Sequence, residues 1–428
     1  MQSEMNAEPP LFSPIHLHAP ETTPLASFES DTVPLLGSPS ISTLVAPTDS
    51  IVIAVTDATR SSPDRILVGG LLRILDDAGV ARERITLLCA TGLHRPMTKD
   101  EARDRLGDEN LRGITFINHD ARDGDGLIDL GTIDGIPLIT NRRCVEADLL
   151  IAVGVVEPHQ YAGYSGGGKT VVIGCGGEAT IGATHGLGML ERTGVELGAI
   201  EGNPFQQFVR AATKRVGLRY VVNVALDGRE RVIAAACGDP IAVHDRLAAE
   251  AARISIIEVD RLFPAALIGM PSSKASNLYQ ATRGATYLAE SRRSPLLPGA
   301  PIILRADIPE GAGRGVGEKR FVDLLRSASS PTELLARLRR DGVEGGAQRA
   351  FIVARTLERH PIIVAGSGDA ELIGSCGMIP VGSVEEGIAR AAEIVGRGPH
   401  HFDNSETPEM LVVSNGIGMV ARVFVESV

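Results

Sequence analysis

The sequence predicts an α/β protein of two α/β domains with mainly parallel sheets and an active site in the cleft between them. Three observations carry that prediction. Short β-branched runs such as Ile51–Val55 and Arg84–Cys89 alternate with helix-length apolar stretches such as Arg65–Ala78, the βα rhythm of a parallel sheet. Asp148–Val156 reads DLLIAVGVV, apolar after its first residue, as a strand buried on both faces must be. At 428 residues the chain exceeds one ordinary core, and its 43% hydrophobic content suffices to fill two.

Taken in order, residues 1–47 are rich in Pro, Ser and Thr and lack periodicity, so they read as an extended or partly disordered arm, mobile over its first dozen residues. His16 and His18 lie there and read as solvated. Residues 48–260 form the first domain. Its strands are Ile51–Val55, Arg84–Cys89, Gly113–Asn118, a short one at Ile136–Thr140, and Asp148–Val156. An antiparallel pair, Tyr220–Ala225 and Val232–Ala236, turns at Asp227-Gly228; a helix Ile241–Arg253 and a strand Ile254–Val259 close the unit. Pro264 marks a hinge before the second domain, 261–428. Its strands are Ala265–Met270, Pro301–Ala306, Pro361–Ala365 and Met410–Ser414, with helices from Asn277, near 318–328, 331–340 and 346–359, and from Glu385. The sequence leaves open whether the last residues return to the first domain.

A formal charge of −11 argues against nucleic acid or an anionic membrane as partner, since both select a positive surface. A small anionic substrate needs only a few local arginines. The five cysteines (Cys89, Cys144, Cys175, Cys237, Cys376) are scattered, odd in number and without a C-x-x-C pair, which suits a reducing compartment. With no run of eighteen apolar residues and no signal-like start, a cytoplasmic location is expected.

Chemistry concentrates in Gly154–Gly186, GVVEPHQYAGYSGGGKTVVIGCGGEATIGATHG. After the buried strand, a glycine-rich loop carries His159, Tyr161, Tyr164, Ser165, Lys169 and Thr170, with His185 beyond. Gly163–Thr170 is a literal G-x-x-x-x-G-K-T, the phosphate loop of nucleotide-binding enzymes. That loop runs from a strand into a long helix, however. Here Thr170 precedes VVIGCGG, whose glycines each cost about 1 kcal/mol inside a helix. A phosphate-loop nucleotidase therefore stands as an alternative only.

A second pattern accounts for more of the chain. Pro158-His159-x-x-Ala162-Gly163-Tyr164-Ser165-Gly166-Gly167-x-Lys169, with His185 sixteen residues past the lysine, resembles the lactate racemase family, whose members carry a nickel-pincer nucleotide. Asp57-Ala58-Thr59-Arg60, Ala90-Thr91-Gly92-Leu93-His94-Arg95-Pro96 and Asn277-Leu278-Tyr279-Gln280 are similar to the other motifs of that family, in the same order. The resemblance implies that His94 and His159 act as acid and base, one per enantiomer. It also implies that Lys169 tethers the cofactor, a pyridinium-3-thioamide-5-thiocarboxylic acid mononucleotide, and that His185 ligates Ni2+. Arg60 would clamp the substrate carboxylate or face the cofactor. Asp57 and Thr59 would hold Arg60 or the cofactor's ribose and phosphate, Ser61 its phosphate, and Gly166 and Gly167 would let it lie against the backbone. Tyr279 and Gln280 would close the site from the second domain. Implied partners are a 2-hydroxy acid substrate and cofactor-biosynthesis proteins, and the implied reaction is racemisation or epimerisation by hydride transfer through a 2-keto acid.

Three departures bear on substrate. Arg283 stands where close relatives of lactate racemase carry a lysine four residues after the tyrosine, Ala275 stands where they carry aspartate, and the chain has no tryptophan. Arg283 offers a planar fork to a carboxylate, so a substrate longer than lactate, with further hydroxyls or a second carboxylate, is expected. The same departures keep open a non-catalytic protein that only holds the cofactor.

Overall fold

The computed structural model describes residues 11–28, 33–291, 293–344, 347–398 and 407–424. A seven-stranded sheet has the spatial order Leu35–Leu36, Val232–Gly238, Leu218–Leu226, Leu149–Val156, Ile51–Thr56, Ile85–Ala90, Thr115–Asn118. All its pairings are parallel except Leu218–Leu226 with Val232–Gly238. Every residue of Leu149–Val156 is buried, because alternate side chains of this strand and its neighbour enter two different cores. Ile51, Ile53, Val55, Ile151 and Val153 pack with Leu67, Leu71, Leu72 and Leu75 of helix Asp64–Asp77. Val52, Ala54, Leu150 and Ala152 pack with Phe205, Phe208, Val243 and Leu247 on the other side.

Those last four residues belong to helices Pro204–Val216 and Pro240–Ser255, which start alike. In each an Asx residue, Asn203 or Asp239, accepts hydrogen bonds from the first free amides, and a proline follows where its missing N–H costs nothing. The first of these helices was not anticipated from sequence, although Asn-Pro signals it.

A second sheet, parallel throughout, has the order Ser13–Leu17, Glu409–Val413, Ala266–Gly269, Ile302–Arg305, Ile362–Ala365, Ile379–Val381. Its edge strand, Ser13–Leu17, is ladder-paired and Phe12 and Leu17 are buried, so this part of the arm lies extended on the body, with His16 and His18 exposed to solvent on and just beyond the strand. The expected mobility of the first dozen residues falls mostly outside those described. Leu35–Leu36 joins the first sheet instead, so the arm touches both. Near the other end, Val420–Val423 pairs with Ile256–Val259 in a separate two-stranded ladder. No helix among the described residues is long and apolar enough to cross a membrane.

Candidate active site

Three adjacent parallel strands, Ile85–Ala90, Ile51–Thr56 and Leu149–Val156, end at the same edge of the first sheet. The loops that follow carry His94, Arg60 and His159, so three sequence-distant motifs become neighbours where open parallel sheets bind ligands. His94 Nδ1 lies 2.6 Å from Asp57 Oδ2, while Asp57 Oδ1 accepts from the amide and hydroxyl of Thr59 at 2.9 and 2.6 Å. Burial would raise the Asp57 carboxyl, but His94, Thr59 and Arg60 outweigh it and hold the group well below the usual range. A carboxylate on Nδ1–H leaves the Nε2 lone pair of neutral His94 as its basic site. The side chain is about half exposed.

His159 is held the other way. Its Nδ1 accepts from the amides of Tyr161 and Ala162, both at 3.2 Å. Backbone amides can only donate, so the neutral ring carries its proton on Nε2. Burial first, then the charges of Lys169 and Arg60, push its pKa well below the ordinary value. His94 thus offers a lone pair and His159 an N–H.

His185 closes helix Glu178–His185. Its Nδ1 is 3.1 Å from both the Ile181 carbonyl and the Thr184 hydroxyl. Donation to the carbonyl leaves Nε2 as a lone pair without a protein partner among the described residues, the tautomer a metal ligand needs. Burial and the neighbouring Lys169 take its pKa down to about 3, so the ring stays neutral. Tyr161 and Phe205 fix its plane edge to face, with centroids 5.6 and 5.1 Å away, and the same two rings flank His159.

Lys169 opens a single helical turn, Lys169–Val172, and the preceding Gly163–Tyr164 is half of a small hairpin with Pro158–His159. A phosphate loop needs a longer helix aimed at the anion, so the resemblance to that motif ends with the letters. Burial, with Arg60 and Arg283 nearby, brings the Lys169 ammonium down to about 7, against a smaller opposing effect of Glu157. A lysine that is partly neutral at physiological pH is a nucleophile suited to forming a covalent tether.

Glu157 was not singled out from sequence and proves central. Arg60 Nη1 donates to its Oε1 at 2.5 Å. Burial opposes ionisation, but Arg60, Lys274 and Arg283 overcome it and lower its pKa. Lys274, also unforeseen, crosses from the second half of the chain to donate from Nζ to the Thr59 carbonyl at 2.8 Å. Arg105 donates to the Arg60 carbonyl at 2.8 Å and to buried Asp64 at 2.7 Å, fixing the loop from below. Arg283, on helix Leu278–Ala289, donates to the Tyr287 hydroxyl at 2.7 Å, and Gln280 lies beside it. Tyr279 packs edge-on to Phe321 with the Arg349 guanidinium over its ring, 4.8 Å from the centroid.

Several expected contacts differ. Asp57 and Thr59 hold His94 rather than Arg60, because Glu157 supplies the nearer carboxylate for the arginine. Ser61 donates to Glu230 at 2.6 Å, and the start of the following helix is occupied by the buried Asp64 carboxylate, so this is not a phosphate cradle. A Cβ at Gly166 would come within 2.7 Å of Val156 and one at Gly167 within 3.0 Å of His244, each with positive φ. Packing against the protein and backbone conformation require glycine there. A planar group tethered at Lys169 and carrying a metal toward His185 Nε2 fits the remaining donor set.

Residues 20–198 match the family described as the lactate racemase N-terminal domain. The chain is 27% identical over 397 residues to lactate racemase of Thermoanaerobacterium thermosaccharolyticum and 29% identical over 399 residues to that of Lactiplantibacillus plantarum. In both cases the match spans 90% of this chain and 88% of the relative. The fold is similar to the lactate racemase apoprotein of T. thermosaccharolyticum, with a TM-score of 0.80 at 24% identity covering 92% and 91% of the two chains. It is also similar to a crystal structure of a Thermotoga maritima protein, with a TM-score of 0.66 at 16% identity covering 87% and 93%.

Proposed function

The chain belongs to the lactate racemase family, and from that membership we propose that it is an isomerase which racemises or epimerises a 2-hydroxy acid using a nickel-pincer nucleotide tethered at Lys169. The observation that carries this reading is the pair of opposed histidines, His94 with Asp57 on Nδ1 and His159 with amides on Nδ1. Proton transfer to and from a substrate hydroxyl needs a base ready to take the proton and return it, and an N–H beside it can hold the oxygen in place.

His94 Nε2 takes the hydroxyl proton, and the Asp57 carboxylate stabilises the imidazolium that forms. Neutral His159 offers its Nε2–H to the same oxygen as a hydrogen bond, and the proton that His94 has taken returns to that oxygen from the imidazolium. For His159 to accept a proton, its Nδ1 must give up the two 3.2 Å hydrogen bonds it accepts from the Tyr161 and Ala162 amides. Arg60 and Arg283 bind and orient the substrate carboxylate. A nickel-pincer nucleotide, when bound, supplies the hydride acceptor that makes the α-carbon planar. His185 would hold its metal through Nε2, and Lys169 would carry its thioamide tether. Tyr279, Gln280 and Lys274 lie on the second half of the chain, where closure excludes water. Loading the cofactor implies cofactor-biosynthesis proteins as partners.

The test is mass spectrometry and nickel analysis of intact holoprotein, followed by a panel of chiral 2-hydroxy acids. Nickel and added mass on wild type, no added mass in Lys169→Ala, and loss of nickel with retained mass in His185→Ala are expected. Wild-type holoprotein that lacks nickel, or that inverts no 2-hydroxy acid, sinks the proposal.

A further inference from the structure

Helix Gln348–Arg359 packs against Leu278–Ala289 at the back of the site, and its arginines differ in one respect. Arg355 and Arg359 both pair with Glu290. Arg349 is 8% exposed, and its Nε and Nη1 have no hydrogen-bond partner. No carboxylate pairs with it among the described residues. Among the described residues it stacks on the face of Tyr279, the tyrosine of Asn277-Leu278-Tyr279-Gln280.

Arg349 lies close to the chemistry. Its charge acts on the Tyr161 hydroxyl, and the Tyr161 ring touches the rings of His159 and His185. The Tyr161 side chain thus lies against both histidine rings and within the field of the Arg349 guanidinium. On the facing loop, the Gln160 amide, 7% exposed, and the Tyr161 hydroxyl are likewise without partners. Guanidinium is not deprotonated in proteins, and a buried one without a counter-charge is costly, so such a group is retained where a ligand brings the anion.

Charge counting then limits the ligand. Arg60 already has Glu157 at 2.5 Å. Arg283 donates only to neutral groups, Tyr287 and Gln280. Two buried guanidiniums on adjacent helices, Arg283 and Arg349, each stacked on a tyrosine, thus lack a bonded carboxylate. Lactate supplies one. We propose that Arg349 is a specificity-determining residue that binds the distal carboxylate of a four- or five-carbon 2-hydroxy dicarboxylate, with the Tyr161 hydroxyl as a neutral hydrogen-bonding neighbour. This rests on the reading that the cleft binds a 2-hydroxy acid.

Malate, 2-hydroxyglutarate and lactate are titrated calorimetrically into holoprotein of wild type, Arg349→Met and Arg349→Lys, with bound cofactor mass and nickel measured on each sample. Wild type is expected to bind one of the dicarboxylates at least tenfold more tightly than lactate. Arg349→Met should abolish that preference and change lactate affinity less than twofold, with cofactor content intact, and Arg349→Lys should restore part of it. A wild-type preference for lactate, or equal losses for all three acids, overturns the proposal. Loss of cofactor from Arg349→Met does so as well, by assigning the guanidinium to the nucleotide phosphate. If Arg349→Met does not fold, an unchanged preference in Arg349→Lys is equally decisive. Binding is read without turnover, so an inactive wild type that still prefers a dicarboxylate refutes the racemase reading and not this one.

Discussion

Arg60 Nη1 donates to Glu157 Oε1 at 2.5 Å, joining the loop after one parallel strand to the first residue beyond its neighbour. The pair is three-quarters buried on each side, and the charges of Lys274 and Arg283 also favour the ionised form of Glu157. Glu157→Gln leaves the mostly buried Arg60 without its bonded carboxylate. The apo protein should lose about 1–3 kcal/mol at neutral pH. Because the folded-state pKa of Glu157 is lowered, its contribution is present above the unfolded value and lost as pH falls through the folded one. Denaturant unfolding of the two proteins should therefore differ at pH 7 and converge toward pH 3; equal stability at pH 7 would show that the ion pair contributes nothing.

Asp57 holds the proton on His94 Nδ1, and Asn in its place could instead donate to that nitrogen and leave Nε2 protonated. Turnover of Asp57→Asn should fall at least ~100-fold, the usual scale of one general base. Substrate affinity should stay within a few-fold. The split between kcat and KM checks this, and a pure KM effect would place Asp57 in binding instead.

The Lys169 pKa of about 7 lies below the ordinary 10.5, chiefly because the group is buried. Charged Lys169 therefore destabilises the fold. That penalty is complete below about pH 7, where folded and unfolded chains are both protonated, and it declines up to about pH 10.5 as only the unfolded chain holds the proton. Apo Lys169→Met should be more stable than wild type at pH 6, with the gap closing toward pH 10. Thermal melts across that range measure it, and a gap that widens with pH contradicts the assignment.

Gly163 is the residue on which the hairpin before Lys169 depends. Its φ is +73° and a Cβ would sit 1.8 Å from the Ala199 carbonyl oxygen, which is backbone and cannot rotate away. Gly163→Ala should cost at least ~2 kcal/mol and lower the melting temperature of apo protein. Unchanged melting would mean that the Ala199 loop relaxes freely.

The sequence disclosed the strand-end loops because each follows a β-branched run, and the pattern places Arg60, His94 and His159 at one sheet edge without any coordinates. It did not disclose who pairs with whom. Asp57 and Glu157 are both acids one residue past a strand, and which takes Arg60 depends on a lateral separation that no spacing along the chain encodes. Lys274 and Arg349 were invisible for another reason: both reach the site from distant segments, and a lone Lys or Arg reads as solvated until its burial is known. The edge strand Ser13–Leu17 was missed because an edge needs no full apolar run. Helix Pro204–Val216 was legible in principle, since Asn203-Pro204 is a helix start and Phe205, Phe208, Val209 and Ala212 fall on one face.

Arg283 gives the last prediction. It donates to the Tyr287 hydroxyl and stacks on that ring at 5.3 Å, so its fork is oriented before substrate arrives. Ala at this position removes both the charge and the fork, and truncating one partner of a buried arginine–carboxylate pair costs about 2–5 kcal/mol. Arg283→Ala should thus depress kcat/KM on the true substrate by more than tenfold. Arg283→Lys keeps the charge but loses the two-point grip and the stacking, so it should recover only part. Tyr287→Phe separates orientation from charge, and a several-fold rise in KM with kcat unchanged is expected from it. If Arg283→Lys matches wild type on every acid tested, the fork has no role and charge alone holds the carboxylate.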